Sequence, residues 1–232
     1  MRKLGLIGGV GPEATIPYYH GIVYGVQKEM NESVFPHLTI ESLSCFELIP
    51  MSAQGKRKEL KEYLLSGVQS LVAAGADFGA LACNTAHMVF EELKAECPIP
   101  LVSIIDVTLA EAQRLGIKKA GLLGTEATMN DDFFSRPFEE AGIKIVTPGE
   151  EEKTAIAKKI FEELELGIVK SETINLFCGI VDRMVKDDEI EAIILGCTEI
   201  PLVFQDVTLP VPRLDTMEIH IKALVKEILA DT

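Results

Sequence analysis

The sequence predicts an α/β fold made of two similar α/β domains, each with a parallel sheet. Strand-like and helix-like segments alternate along the whole chain of 232 residues, which is typical of α/β proteins. Most of the strand segments are short and largely apolar, as expected for parallel strands that are covered on both faces. Short motifs of the first half also recur in the same order in the second half, which indicates a duplicated unit.

Four strands are predicted in each half, from short apolar runs bounded by turn residues. The first four are Lys3–Ile7, Leu38–Ser42, Phe78–Ala82 and Leu101–Ile105. The second four are Ala120–Leu123, Ile143–Val146, Ala192–Leu195 and Val211–Leu214.

Amphipathic helices are predicted between these strands. In Glu59–Ala74 and Lys153–Leu166, apolar residues recur on one helical face, and Gly75 and Gly167 are expected to end the two helices. A final helix, Met217–Leu229, follows the last strand. From the topology alone, we expect it to return to the first half.

Three pairs of motifs carry the internal resemblance. They are Gly5–Gly8 with Gly121–Gly124, Ala82–Thr85 with Gly196–Glu199, and Asp106 with Asp215. The motifs occur in the same order in both halves. The difference in residue number between the two members of a pair decreases only slowly from pair to pair. We therefore predict a first domain of residues 1–106 plus 216–232 and a second of residues 107–215. If the two domains face each other across a pseudo-two-fold axis, the active site lies in the cleft between them.

Two of the five cysteines, Cys83 and Cys197, end apolar strands at matching places in the two halves. Ligands of α/β sheets bind beyond the carboxyl ends of the strands. Each cysteine also precedes a predicted helix start, which Thr85 or Thr198 can cap, and a helix start lowers the pKa of a thiol. The remaining cysteines lie outside recurring motifs and are interpreted as structural: Cys45, Cys97 and Cys178.

A pair of thiols suits the chemistry of racemisation. Racemisation of an amino acid removes a proton from one face of its α-carbon and returns a proton to the other face. A thiolate and a thiol on opposite sides can do this and exchange roles with the direction of reaction. Backbone N–H groups and the two threonine hydroxyls could stabilise the enediolate that develops.

The composition excludes several other classes of function. The chain has 36 acidic and 22 basic residues, a net charge of −14, and no basic run, so neither nucleic acid nor an anionic membrane is expected as a partner. No apolar run reaches the roughly 18 residues of a membrane span. Because the cysteine count is odd and Cys-x-x-Cys is missing, we predict no disulfide framework, no metal site and a cytoplasmic location.

Some residues near the motifs allow two interpretations. The pattern Gly9-x-Gly11-x-x-Ala14 fits a dinucleotide-binding loop, but Pro12 and Glu13 would remove a donor and add a negative charge where a pyrophosphate binds. His87 either assists Cys83 or is a satisfied structural histidine. Glu199 either assists Cys197 or is a helix-start carboxylate.

Three motifs resemble the signatures of the aspartate/glutamate racemase family: Gly8–Thr15, Cys83–His87 and Gly196–Pro201. The resemblance extends through residues 123–129, 161–167 and 215–220, and so covers nearly the whole chain. It implies two α/β domains with the site between them, no pyridoxal phosphate or other cofactor, no metal, and Cys83 and Cys197 as the acid/base pair. A homodimer is compatible with the resemblance.

The resemblance also implies a set of substrate-binding residues: Asn84, Thr85, Thr125, Thr128 and Thr198. To these we add Val10 in the glycine loop, and Gln54, which with Lys56 and Arg57 could reach the side-chain carboxylate of the substrate.

The substrate is predicted to be an acidic amino acid, with aspartate first. The glutamate racemase branch typically has Asp-Ser-Gly in the first loop and a histidine after Gly-Cys-Thr, where this chain has Ile7–Gly9 and Glu199. The alternatives are a glutamate or broad Asp/Glu racemase, a dicarboxylate isomerase or decarboxylase of the same superfamily, and a non-catalytic small-acid binding protein.

Overall fold

The structure is a computed structural model, and it describes residues 1–230 of the chain. The chain forms two compact units, Met1–Val107 with Met217–Thr232, and Thr108–Thr216. Each unit contains one sheet of four parallel strands with helices. The α/β class predicted from the alternation of strands and helices is confirmed.

The first unit has the strand order β2-β1-β3-β4. Its strands are β1 (Leu4–Gly8), β2 (Leu38–Ser42), β3 (Phe78–Leu81) and β4 (Leu101–Val102). The helices up to the start of the second unit are α1 (Pro12–Met30), α2 (Cys45–Ala53), α3 (Arg57–Ala73), α4 (Phe90–Glu96) and α5 (Ile104–Arg114), with a 3-10 helix at Thr85–Val89.

The second unit has the strand order β6-β5-β7-β8, the same topology as the first. Its strands are β5 (Lys119–Gly124), β6 (Lys144–Val146), β7 (Ala192–Gly196) and β8 (Arg213–Asp215). Its helices are α6 (Glu126–Asn130), α7 (Asp132–Glu140), α8 (Glu150–Glu162) and α9 (Ser171–Asp188), with 3-10 helices at Leu164–Leu166 and Ile200–Phe204. The shared strand order agrees with the internal repeat of the sequence.

The last helix, α10 (Thr216–Leu229), packs against α1 and the core of the first unit. Gly21 and Gly25 on α1 allow the close approach, because a Cβ there would lie 3.0 Å from Ile221 and 2.8 Å from Val225. Leu224 and Ile228 are fully buried in the same core. In residues 1–230, no helix combines the length and the apolar character that crossing a membrane requires.

The predicted strand Leu101–Ile105 is wrong at its end, since β4 stops at Val102 and α5 begins at Ile104. Ser103 starts the helix, because its hydroxyl accepts a hydrogen bond from the Asp106 N–H at 3.1 Å. Ile104 and Ile105 are buried by the helix rather than by a strand. An apolar run of this length does not distinguish the two.

The helix predicted at Lys153–Leu166 is also interrupted. α8 ends at Glu162, and a 3-10 helix follows at Leu164–Leu166. Between them the Glu163 carboxylate is buried and accepts hydrogen bonds from Lys159, Lys170 and Thr173. These partners lower the pKa of Glu163 to about 2. They also hold the turn that leads into the 3-10 helix Leu164–Leu166, which carries Glu165.

Gly9, directly after β1, is required by both backbone conformation and space. Its φ is +76°, and a Cβ there would lie 2.2 Å from the carbonyl oxygen of Leu43. We expect Gly9→Ala to lower the free energy of unfolding by more than about 4 kcal/mol, a loss that only specific structural conflicts cause.

Gly75 provides the matched control, since its φ is +78° and, among the described residues, nothing lies within 4 Å of the place that a Cβ would occupy. Gly75→Ala should therefore lose only the left-handed strain, about 1–2 kcal/mol. Urea unfolding of both variants measures the difference, and equal losses would show that the close approach to Leu43 is unimportant.

Candidate active site

Cys83 lies in the loop between β3 and the 3-10 helix at Thr85–Val89. The sheet pairing continues one residue past β3, because the N–H of Ala82 donates to the carbonyl of Ile7 at 2.9 Å. Cys83 is half-buried, whereas its neighbours Asn84 and Thr85 are 3% and 7% exposed. The chain therefore places the thiol where a parallel sheet ends and a helical turn begins.

His87 is buried in the first unit and makes a hydrogen bond to this loop. One turn beyond Cys83, its Nδ1 lies 2.9 Å from the Cys83 carbonyl oxygen, and its Nε2 accepts a hydrogen bond from the N–H of Ile104 at 3.2 Å. Burial lowers the pKa of His87 to about 4, so the imidazole is neutral near pH 7.

Cys197 occupies the corresponding place in the second unit, directly after β7. It is 5% exposed, and its thiol donates to Glu199 Oε2 at 3.0 Å. The Thr198 hydroxyl donates to the same oxygen at 2.8 Å. Both Thr198 and Glu199 are buried, so Glu199 contacts the thiol from within the protein.

Glu165 completes this group, although it is distant in sequence. It lies on the 3-10 helix Leu164–Leu166, and one carboxylate oxygen each of Glu165 and Glu199 and the Cys197 sulfur all lie within 4.8 Å of one another. Sequence reasoning missed Glu165. It falls inside the stretch 161–167 that carries the family resemblance, but no local pattern distinguishes it from the neighbouring glutamates.

The electrostatics of this cluster favour protonated groups. Burial, followed by the negative charges of Glu199 and Glu165, raises the pKa of the Cys197 thiol well above its ordinary value. Burial and the charge of Glu199 raise the pKa of Glu165 to about 7. The expectation that a helix start lowers the thiol pKa is therefore wrong for Cys197, because desolvation and two carboxylates outweigh the backbone N–H groups.

The three side chains also form a donor set of the kind that divalent cations use. Thiolate and carboxylates are ligands of zinc, but a thiol must lose its proton to bind a metal. The raised pKa of Cys197 opposes that loss. Without a bound cation, the cluster of Glu165, Cys197 and Glu199 therefore favours protonated groups.

Thr125 and Thr128 form a pair at the start of α6, in the loop that follows β5. The Thr128 N–H donates to the Thr125 hydroxyl at 3.3 Å, and the two hydroxyl oxygens are 3.0 Å apart. Thr128 is 1% exposed. The pair caps the helix, as the side chain of an N-cap threonine does.

The remaining predicted site residues lie on other loops of the first unit. Val10 is buried between Gly9 and Gly11, and Gln54 is exposed at the end of α2. The Arg57 guanidinium donates to the Met88 carbonyl and, at 3.0 Å, to Glu92. Arg57 therefore joins α3 to the turn and helix that follow Cys83.

A family model described as Asp/Glu/Hydantoin racemase matches residues 7–224 of the chain. The chain belongs to this family. Membership makes the protein a racemase, an enzyme of the isomerase class.

Individual relatives agree with the family. The broad specificity amino-acid racemase RacX of Bacillus subtilis (strain 168) is 25% identical over 230 residues, which cover 98% of each chain. A solved structure from Yersinia pestis is 33% identical with a TM-score of 0.89, over 99% of this chain and 100% of that one. An aspartate racemase homologue from Pyrococcus horikoshii OT3 is 35% identical with a TM-score of 0.82, over the same shares.

Proposed function

We propose that the protein is a cofactor-independent racemase that interconverts L- and D-aspartate, with Cys83 and Cys197 as its two proton-transfer groups. One observation carries the proposal. The two cysteines hold corresponding positions after β3 and β7, the third strands of two sheets with the same order. A reaction that must exchange protons on two faces of one carbon needs two such groups.

The proposed reaction balances without a cofactor. One cysteine, as thiolate, takes the α-proton and becomes a thiol. The other, as thiol, gives its proton to the opposite face of the α-carbon and becomes a thiolate. The substrate is inverted, no proton is consumed, and the two sulfurs have exchanged protonation states.

The surroundings of Cys197 support its role as a proton donor in the resting enzyme. Its raised pKa keeps the sulfur protonated, and its hydrogen bond to Glu199 holds the thiol in place. After proton transfer, the new thiolate would lie beside two carboxylates. Because the pKa of Glu165 is about 7, this residue carries a proton part of the time at neutral pH and can return one to the Cys197 sulfur after turnover. Cys83 must then release the proton that it took from the substrate before the next turnover in the same direction.

Aspartate is proposed as the preferred substrate because the motifs resemble the aspartate racemase branch, and because the Pyrococcus horikoshii OT3 relative is an aspartate racemase homologue. Broad specificity is the second candidate, favoured by the similarity to RacX over 98% of both chains. The odd number of cysteines and the missing Cys-x-x-Cys pattern fit a reducing compartment. We propose that the enzyme works on small molecules in the cytoplasm, with no nucleic acid or membrane partner.

Proton NMR in D₂O tests the proposal. Purified protein with L-aspartate and no added cofactor should remove the α-proton signal, and chiral chromatography should then detect D-aspartate. Hydroxylamine, which captures pyridoxal phosphate, should leave the rate unchanged.

Assays with other substrates distinguish the candidate functions. Glutamate and neutral amino acids should react more slowly than aspartate, whereas comparable rates would favour broad specificity. Folded, reduced protein that exchanges none of these α-protons would reject the proposal, and maleate or a substituted malonate would be assayed next.

A further inference from the structure

Two buried histidines of the first unit make hydrogen bonds to the same backbone junction. His220 on α10 and His87 in the 3-10 helix after Cys83 are 0% and 3% exposed. Their bonds end on Val102 and Ile104, the residues on either side of Ser103 between β4 and α5. β4 pairs with β3, the strand that leads to Cys83.

The backbone partners determine which nitrogen of His87 carries the proton. A peptide N–H can only donate, so the bond from Ile104 makes Nε2 the acceptor. The proton therefore resides on Nδ1, which donates to the Cys83 carbonyl at 2.9 Å. The ring is also stacked on Phe90, with centroids 4.7 Å apart, which fixes its plane.

The same logic gives His220 the opposite tautomer. The Val102 carbonyl can only accept, so Nε2 of His220 carries the proton and donates at 3.2 Å. Nδ1 then accepts from the Tyr18 hydroxyl at 2.8 Å. Side chains of α1 and α10 thus fix the end of β4.

We propose that His87 is a positioning residue for Cys83: as a neutral Nδ1–H imidazole it ties the cysteine carbonyl to the start of α5. The adjoining end of β4 is held by His220, which Tyr18 in turn supports. Both ring nitrogens bond to the backbone, so neither is left to exchange protons with a substrate. An imidazolium would set a second N–H against the Ile104 N–H. The inference rests on the proposed function, because positioning Cys83 matters only if its thiol reacts.

Two substitutions separate the bonds from the bulk of the ring. His87→Phe keeps an aromatic ring beside Phe90 but makes neither hydrogen bond. His87→Gln retains an N–H donor and a carbonyl acceptor. We expect His87→Phe to lower kcat roughly 100-fold, the size expected for a reacting group displaced by about 1 Å, with little change in KM. His87→Gln should recover most of that loss, and exposed His37→Gln should change nothing.

Two readouts do not depend on turnover. Nitrogen-15 NMR of the wild-type imidazoles should show the Nδ1–H tautomer for His87 and the Nε2–H tautomer for His220 at pH 7. Mass spectrometry after brief alkylation with iodoacetamide should show an altered rate at Cys83 in His87→Phe and an unaltered rate at Cys197. These measurements remain informative if no amino acid is racemised, so a failure of the proposed function is distinguishable from a failure of this inference.

Several results would overturn it. An Nε2–H or charged His87 at pH 7 would contradict the assigned bonds. Full kcat in folded His87→Phe would show that positioning is not needed. If His87→Phe does not fold, the test rests on the tautomer of wild-type His87 and on the activity of His87→Gln. A His87→Gln variant that is folded but as inactive as a Cys83 variant would reject the positioning role.

Discussion

Cys197→Ala and Cys83→Ala are each expected to lose racemisation by at least roughly 100-fold in kcat, the lower end of what a positioned acid or base contributes. Either variant lacks the group that serves one face of the α-carbon. The remaining thiol can still exchange the proton on its own face. Any residual deuterium exchange should therefore be confined to one enantiomer, and to opposite enantiomers in the two variants. Proton NMR of separate L- and D-aspartate samples in D₂O measures this.

The other cysteines provide matched controls. Cys97 and Cys178 are half-buried thiols outside the strand-end motifs, and alanine at either position should leave racemisation intact. Circular dichroism establishes that each variant is folded. Full activity in Cys83→Ala or Cys197→Ala would reject the two-thiol mechanism, as would residual exchange of the same enantiomer in both.

The architecture was accessible from the sequence because it is repeated. Apolar runs such as Ala192–Leu195 correspond closely to strands, here β7 at Ala192–Gly196. The recurring motifs place Cys83 and Cys197 after equivalent strands. The failure at Leu101–Ile105 has a local cause, since a buried helix start and a buried strand end present the same apolar pattern, and only the Ser103 hydroxyl distinguishes them.

The chemistry of the site was less accessible, because it depends on tertiary contacts. The motif predicted Glu199 as a neighbour of Cys197, but it could not show that Glu165 comes from a different turn to join them. The pKa of Cys197 depends on that encounter and on burial, so its direction was wrongly predicted from the helix start alone. Likewise, the roles left open for His87 could be weighed only once its backbone partners were known.

Acidification from pH 7 to pH 5 is expected to destabilise the first unit and to stabilise the second. In the first, burial lowers the pKa of His87 to about 4 and that of His220 to about 3, from an ordinary 6.5. Below pH 6.5 the unfolded chain binds protons that the folded unit cannot. Each histidine then removes up to about 1.4 kcal/mol of stability per pH unit.

The sign is reversed in the second unit. The pKa of Glu165 is about 7 in the fold and 4.5 ordinarily. Between these values the folded unit binds a proton that the unfolded chain does not, so falling pH adds up to about 1.4 kcal/mol of stability per pH unit. Glu163, whose pKa is lowered from 4.5 to about 2, affects the stability of the second unit only below pH 4.5, which is outside the range from pH 7 to pH 5.

Amide hydrogen exchange, corrected for intrinsic rates and read separately in β3 and β7, measures the two units in one experiment. His87→Gln and His220→Gln should each flatten the decline in the first unit, and Glu165→Gln should abolish the rise in the second. The opposite signs make the test demanding, because a general effect of acid on the chain would move both units together. Parallel slopes, or a wild-type slope in His87→Gln, would mean that these buried groups do not have the charge states on which the assigned roles of His87 and Glu165 depend.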